Sequence, residues 1–226
     1  MTEYEFKSAI YNYYVDDSSQ ITERSNAGPS STGNGQLHNG LYLAVLKYKG
    51  WAIDERDMNL YRNCMALSYK EPGVYYRNKY KHNADDDQSR DNYIGIMAMT
   101  HWLDREMCRY IYNENSKRDW EILGKNVARG VGDEDFFESC ATGNVSGCMA
   151  IKHKAILLTD GMSANDRSDG HILMFIRGLI MGDLSNACKG YFHTWQATLA
   201  SRFGSLGASW RHYLPESHPI IMMMAS

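Results

Sequence analysis

Apolar residues recur at spacings of three and four along most of the chain, which is the spacing of helices with one buried face. The sequence has no convincing series of alternating apolar and polar residues of the kind expected of strands. The pattern therefore predicts roughly seven to nine helices and a mainly α fold. The segments with helical periodicity are residues 2–15, 39–50, 54–72, 93–112, 116–131, 133–141, 148–161, 171–182 and 184–206.

Three of these segments share a local pattern. The helices that start near Leu41, Tyr93 and Ile172 each follow a loop rich in Asn, Asp, Gly or Ser, and each is mostly apolar. The recurrence favours repeated helical hairpins, with apolar inner helices and polar loops gathered at one end. We expect an amino-terminal helix and irregular segment over residues 1–33, one helical domain over residues 34–214, and an extended tail over residues 215–226.

The composition and charge of the chain limit the kinds of molecule that it is expected to bind. The 226 residues include 23% charged residues, have a formal net charge of −3, and contain no long basic run, so nucleic acid is not an expected partner. No apolar run approaches the roughly 20 residues that cross a bilayer, and the first residues do not have the form of a signal peptide. Five scattered cysteines without a CxxC pair indicate reduced thiols rather than disulfides or a zinc site.

Residues 71–107 hold the densest polar chemistry of the chain. A Pro72-Gly73 turn leads through an aromatic and basic run to three consecutive aspartates, and an apolar helix follows. Carboxylates close to basic side chains can have shifted pKa values, and paired carboxylates flanked by tyrosines suit sugar binding or glycoside cleavage. The catalytic candidates are Asp87 and Asp91. A solvated acidic cap on the next helix explains the same residues without catalysis.

Other kinds of site lack their required residues. The series Asp85-x-Asp87-x-Ser89-x-Asp91 resembles the start of a calcium loop, but Arg90 stands where that loop requires glycine. Ile96 stands where it requires a bidentate glutamate. The motifs HExxH, GxSxG and GxxxxGK[ST] do not occur. We therefore expect no metal and no cofactor.

The segments NGQLHNGLYLAVLKYKG, EPGVYYRNKY and DDDQSRDNYIGIMA, within residues 34–98, resemble a group of bacteriophage-encoded helical proteins. That group is related in pattern to (α/α)-toroid proteins, which include glycan-processing enzymes. The resemblance implies a partial (α/α)-toroid-like bundle with a cavity. The residues it places at the cavity mouth are Asn39, Arg77, Asp87, Asp91, Asn92 and Tyr93.

Two functions follow as hypotheses. The first is a phage virion-associated structural or adaptor protein that docks on other virion proteins or on copies of itself through its irregular N-terminal segment and its Pro/Met-rich tail. It would have no catalytic activity, because no second acidic cluster of comparable density follows Asp91. It would be made in the host cytoplasm and then carried in the virion. The alternative is a protein that binds or cleaves a glycan, with Arg77, Asp87 and Asp91 at the mouth of a helical cavity.

Overall fold

A computed structural model describes residues 2–15, 21, 23–25, 28–30, 35–77, 88–130, 132–145 and 168–183. Within these ranges the chain forms seven helices and three antiparallel two-stranded hairpins, so the prediction of a mainly α fold is confirmed. The helices are α1 (Glu3–Tyr13), α2 (Gly35–Lys49), α3 (Glu55–Ser68), α4 (Arg90–Leu103), α5 (Arg105–Ser116), α6 (Asp133–Thr142) and α7 (Ser168–Ile180). The strands are β1 (Glu23–Ser25), β2 (Gly28–Ser30), β3 (Tyr69–Glu71), β4 (Val74–Tyr75), β5 (Glu121–Ile122) and β6 (Lys125–Asn126).

The core is organised around α2 and α4. Every residue of α2 from Gly35 to Leu46 is buried, and so is every residue of α4 from Asn92 to Thr100. A helix that is covered on all sides belongs in the middle of a bundle. Glycines allow the two backbones to touch, because a Cβ on Gly40 would lie 2.7 Å from the Gly95 Cα.

The third apolar helix, α7, packs on both α2 and α4. The three segments predicted to be apolar inner helices therefore do lie together in the core. Phe175 of α7 meets the Tyr48 ring of α2 edge to face, with ring centroids 5.5 Å apart. The regular repeat of hairpins and the toroid-like arrangement stay predictions.

The start of α2 was predicted wrongly. Asn39 and Gly40 were expected to open this helix, but they lie inside it, since the helix already includes Gly35. Asn39 instead donates from Nδ2 to the Gly35 carbonyl at 2.7 Å. Gly40 is needed for close packing against α4 rather than for a turn. The predicted end at Gly50 is correct, and this glycine has a φ of 68°.

The long helix predicted over residues 93–112 is two helices. Asp104 ends α4 and begins α5, with a φ of −152° that leaves the helical region. Its carboxylate accepts a hydrogen bond from the Met107 amide at 3.0 Å. The aspartate thus caps a new helix, and apolar spacing alone did not reveal the break.

The helix predicted over residues 116–131 is also wrong. The β5–β6 hairpin occupies this segment, preceded by turns in which Asp119 and Trp120 have φ values of 50° and 59°. Left-handed residues cannot continue an α-helix. Of the four residues expected to face inward, Trp120, Ile122 and Val127 are buried and Leu123 is half-buried, so the inward positions were largely correct although the backbone conformation was not.

The other helices agree more closely with prediction. Four predicted helices correspond to helices of the structure: α1 to residues 2–15, α3 to the helix from Asp54, α6 to residues 133–141 and α7 to residues 171–182. The α3 helix ends at Ser68, ahead of Pro72. The predicted helices at residues 148–161 and 184–206 and the tail at residues 215–226 lie outside the described residues. None of the described helices is both long and apolar enough to span a bilayer.

Candidate functional site

The predicted site residues lie where α4 begins. Arg77 follows β4 and is half-buried, and it donates from Nη2 to the Ser89 hydroxyl at 3.3 Å. Asp91 is half-buried in the first turn of α4. Asp87, the other catalytic candidate, lies outside the described residues. The structure therefore places Arg77 next to the start of the helix that carries Asp91.

Asn39, Asn92 and Tyr93 are at most 2% exposed. The Asn92 side chain accepts from the Leu37 amide at 3.2 Å and donates to Ser89 Oγ at 3.0 Å, which ties the first turns of α2 and α4 together. The Tyr93 hydroxyl donates to the Gly73 carbonyl at 2.6 Å. These polar groups thus make internal hydrogen bonds that hold α2, α4 and the β3–β4 turn in place.

A buried carboxylate that sequence analysis treated only as a helix start joins α4, α6 and α7. The carboxylate of Asp133, at the beginning of α6, accepts hydrogen bonds from Arg90 Nε at 2.6 Å and from Arg90 Nη2 at 2.9 Å. Arg177 of α7 lies close to the same carboxylate, with Nη1 3.2 Å from Oδ1. Asp133 and Arg177 are both fully buried. A carboxylate bound by two guanidinium groups stabilises the packing and is poorly placed to accept a proton in catalysis.

The first turns of α2, α4 and α6 meet in one region, through the Leu37–Asn92 and Arg90–Asp133 contacts. Burial lowers the pKa of His38 in this region to about 4, although its hydrogen bond with the Ile21 backbone acts in the opposite direction. We refer to this region as the polar end, and its residues are Gln36, His38, Asn39, Arg90, Asn92 and Asp133.

A second buried carboxylate, also missed from the sequence, holds α1 on α3. Asp57 Oδ1 accepts from the hydroxyls of Tyr11 at 2.7 Å and Tyr42 at 2.6 Å. Its Oδ2 accepts from Lys7 Nζ at 2.7 Å and from the Asp54 amide at 2.9 Å. The four donors fill the acceptor positions of this carboxylate, so the cluster is a clamp between two helices.

Electrostatics keep the three side chains that donate to Asp57, those of Tyr11, Tyr42 and Lys7, in one protonation state near neutral pH. Burial, followed by the hydrogen bond to Asp57, raises the pKa of both Tyr11 and Tyr42. Burial acts to lower the pKa of Lys7, but hydrogen bonds to Asp57 and Asp54 outweigh it and raise that pKa. The phenols therefore stay protonated and the lysine stays charged. The signal in the sequence was only Asp54-x-x-Asp57 at a helix start, which is also an ordinary cap.

The third feature is an exposed group of tyrosines on the β3–β4 hairpin and α5. Tyr69 and Tyr110 are 48% and 43% exposed. Burial is the main cause that raises the pKa of Tyr75, and the phenols of Tyr69 and Tyr110 raise it further. Both exposed tyrosines therefore lie near Tyr75. The rings of Tyr69 and Tyr75 meet edge to face with centroids 6.0 Å apart. We call Tyr69, Tyr75 and Tyr110 the tyrosine surface.

The described residues contain no group of three or more His, Cys, Asp or Glu side chains placed to hold a metal ion. Cys64, Cys108 and Cys140 are free thiols in the core, and burial raises the pKa of Cys64 to about 12 and of Cys108 to about 11. Such thiols are poor nucleophiles at neutral pH. They therefore behave as small core residues.

No protein-family model, curated protein or solved structure matches this chain. Function is therefore argued from the three regions above: the polar end, the Asp57 cluster and the tyrosine surface. The first two make internal contacts, and the third faces outward.

Proposed function

We propose that this chain is a phage virion-associated adaptor protein that docks on other virion proteins through the tyrosine surface. It would be synthesised in the host cytoplasm and then incorporated into the particle. The observation that carries the proposal is that Tyr69 and Tyr110 are both more than 40% exposed and both lie near the buried Tyr75. The phage origin rests on the resemblance of residues 34–98 to phage-encoded helical proteins.

The support of the tyrosine surface is rigid, which suits docking. Tyr75 is 3% exposed, and its hydroxyl lies 3.6 Å from the Met107 sulfur of α5. The β3–β4 turn is held by Tyr93 and by Asn115, whose Nδ2 donates to the Gly73 carbonyl at 2.9 Å. Tyrosines on a fixed frame offer a large contact area at a low entropic cost, and aromatic residues are enriched at protein interfaces.

Charged groups at the edge of this surface have both signs. Arg118 Nη1 lies 3.6 Å from Glu71 Oε1, and Lys70 Nζ lies 5.3 Å from the centre of the Tyr76 ring. A polar rim around an aromatic centre is the usual arrangement of a protein–protein interface. The mixed charges favour a protein partner over a polyanion.

Photo-crosslinking tests the proposal directly. A benzoylphenylalanine at position 110 of the full chain, expressed during infection, should crosslink to a virion protein after irradiation. The same group at position 4 is the control, because Tyr4 is 80% exposed on α1. Equal crosslinking from both positions, or none to a virion protein from position 110, would contradict docking through the tyrosine surface.

The second candidate is a glycan-binding or glycan-cleaving protein, favoured by the contact that places Arg77 beside the start of α4. Asp91 and Asp87 would then supply the carboxylates. Alanine substitution of both aspartates separates the two functions. Loss of turnover of bacterial polysaccharide with unchanged circular dichroism would support cleavage and argue against a purely structural role.

A further inference from the structure

A pocket of about 300 Å³ opens between α1 and α3, and none of its lining residues belongs to the tyrosine surface. Pockets of about this volume are at the lower end of the range for small-molecule sites. Its lining residues are Tyr11, Val15, Arg56, Asn59, Leu60 and Asn63. No part of the adaptor proposal uses these residues, so the pocket is an independent feature of the molecule.

One face of α3 forms a wall of the pocket. Arg56, Asn59, Leu60 and Asn63 are spaced by three, one and three residues, which places them on one side of the helix. Leu60 is 4% exposed and forms an apolar base, whereas the other three side chains are exposed. Arg62 Nη1 donates to Asn59 Oδ1 at 2.9 Å and so orients that amide.

The opposite wall is held in place by contacts of α1 with α3 and with the segment before it. The Tyr11 hydroxyl donates to Asp57 Oδ1 at 2.7 Å, and the Arg56 guanidinium carbon lies 4.0 Å from the centre of the Tyr11 ring. Lys7 adds a bond to the Ala52 carbonyl at 2.6 Å, so α1 is tied to the segment that precedes α3. Walls that are already ordered lose little entropy when a ligand binds.

The lining combines apolar side chains with hydrogen-bonding groups. Tyr11, Val15 and Leu60 offer carbon surface, while Asn59 and Asn63 offer amides that can both donate and accept. Of the six lining residues, Arg56 carries the single formal charge. The carboxylate behind the wall, Asp57, is paired with Lys7 at 2.7 Å. This balance favours a neutral ligand with many hydroxyl groups and an apolar face.

We propose that this pocket binds a neutral polyhydroxylated molecule of monosaccharide size. The amides of Asn59 and Asn63 bond its hydroxyl groups, and its C–H face lies against Leu60 and Val15. The site is distinct from the Arg77–Asp91 region that the sequence favoured for glycan chemistry. It also does not depend on docking through the tyrosine surface.

Saturation-transfer NMR on the full chain, with glucose, galactose, mannose and N-acetylglucosamine as separate probes, tests this site. At least one sugar should receive saturation, and titration should then give a dissociation constant. Asn63→Ala and Asn59→Ala should each raise that constant by about fivefold, the equivalent of one hydrogen bond of about 1 kcal/mol. Both asparagines are exposed, so these variants should fold normally.

Asn113→Ala is the matched control, since Asn113 is an exposed asparagine on α5 that does not line the pocket. The Asn113→Ala variant should bind the sugar with the same dissociation constant as the unmodified protein. The proposal is overturned if none of the four sugars binds, if both pocket variants bind as tightly as the unmodified chain, or if Asn113→Ala weakens binding as much as they do.

Discussion

The polar end and the tyrosine surface use polar and aromatic side chains in opposite ways. At the polar end, Asn92 is fully buried and bonds the Leu37 amide and the Ser89 hydroxyl. At the tyrosine surface, Tyr69 and Tyr110 keep nearly half of their area exposed although they lie near the buried Tyr75. The first region determines how helices meet, and the second is available to another molecule.

This difference shows why dense polar sequence is a poor guide to function in this chain. Arg77, Arg90 and Asn92 are conspicuous in the sequence, and each bonds a group at the start of α4 or α6, because buried helix starts need hydrogen-bond partners. A buried amide group without a partner costs free energy, so these residues stabilise the fold whether or not they have another role. Substitutions at the polar end should therefore change stability, and substitutions at the tyrosine surface should change docking.

The largest effect is expected for Asp133→Asn. This change removes the charge that binds Arg90 and Arg177, and Arg177 is fully buried. Breaking a buried ion pair from one side should lower the free energy of unfolding by about 3–5 kcal/mol. Urea unfolding measures the loss. Glu134→Gln is the control, because Glu134 is an exposed acid in the same turn, and an equal loss there would show that only the helix dipole matters.

Acid should weaken the polar end through His38. The pKa of this side chain is lowered from 6.5 to about 4 by burial, so the unfolded chain binds a proton more readily than the folded one. The contribution of neutral His38 to the free energy of unfolding is complete above the pKa that His38 has in the unfolded chain. It is lost, by about 2–3 kcal/mol, as pH falls from about 6.5 towards about 4. Urea midpoints across this range provide the measurement, and a His38→Gln variant that kept the same slope would contradict the assignment.

A smaller loss is expected for Asn92→Ala. The Leu37 amide would lose its acceptor in the core, where such a loss costs about 1–3 kcal/mol. Asn144→Ala, at an exposed position after α6, controls for the loss of an asparagine side chain. If Asn92→Ala unfolded at the same urea concentration as the unmodified chain, the polar end would not depend on this bond.

The smallest effect on stability is expected for Tyr110→Ala. Because this side chain is 43% exposed, its removal should change the free energy of unfolding by less than about 1 kcal/mol. Thermal unfolding gives that value. A loss as large as that of Asp133→Asn would place Tyr110 among the residues that hold the fold.

Local patterns revealed much of the helical structure and little of the site. The starts of α3 and α6 were predictable because Asp54 is a typical N-cap and Asp133 is a typical first-turn acid. The break at Asp104 was not, since the apolar spacing continues on both sides of it. The segment that forms the β5–β6 hairpin was mistaken for a helix because Trp120, Leu123 and Val127 are spaced by three and four residues, as on one face of a helix.

The two buried carboxylates illustrate what sequence could not provide. Asp57 meets Lys7, and Asp133 meets Arg90, at separations of 50 and 43 residues. Each aspartate looks like an ordinary helix cap in its own segment. Only the packing of distant helices distinguishes a solvated cap from a buried ion pair, and the exposed fraction of Tyr69 and Tyr110 likewise depends on that packing.

The occupancy of the chain in purified particles tests the docking account most directly. Phage carrying Tyr69→Ala together with Tyr110→Ala should contain at least about tenfold less of this protein per particle, by quantitative mass spectrometry, if the two aromatic contacts contribute about 1.4 kcal/mol or more. Phage carrying Tyr4→Ala should contain the normal amount. Equal occupancy in the double variant and the Tyr4→Ala control would contradict docking through the tyrosine surface.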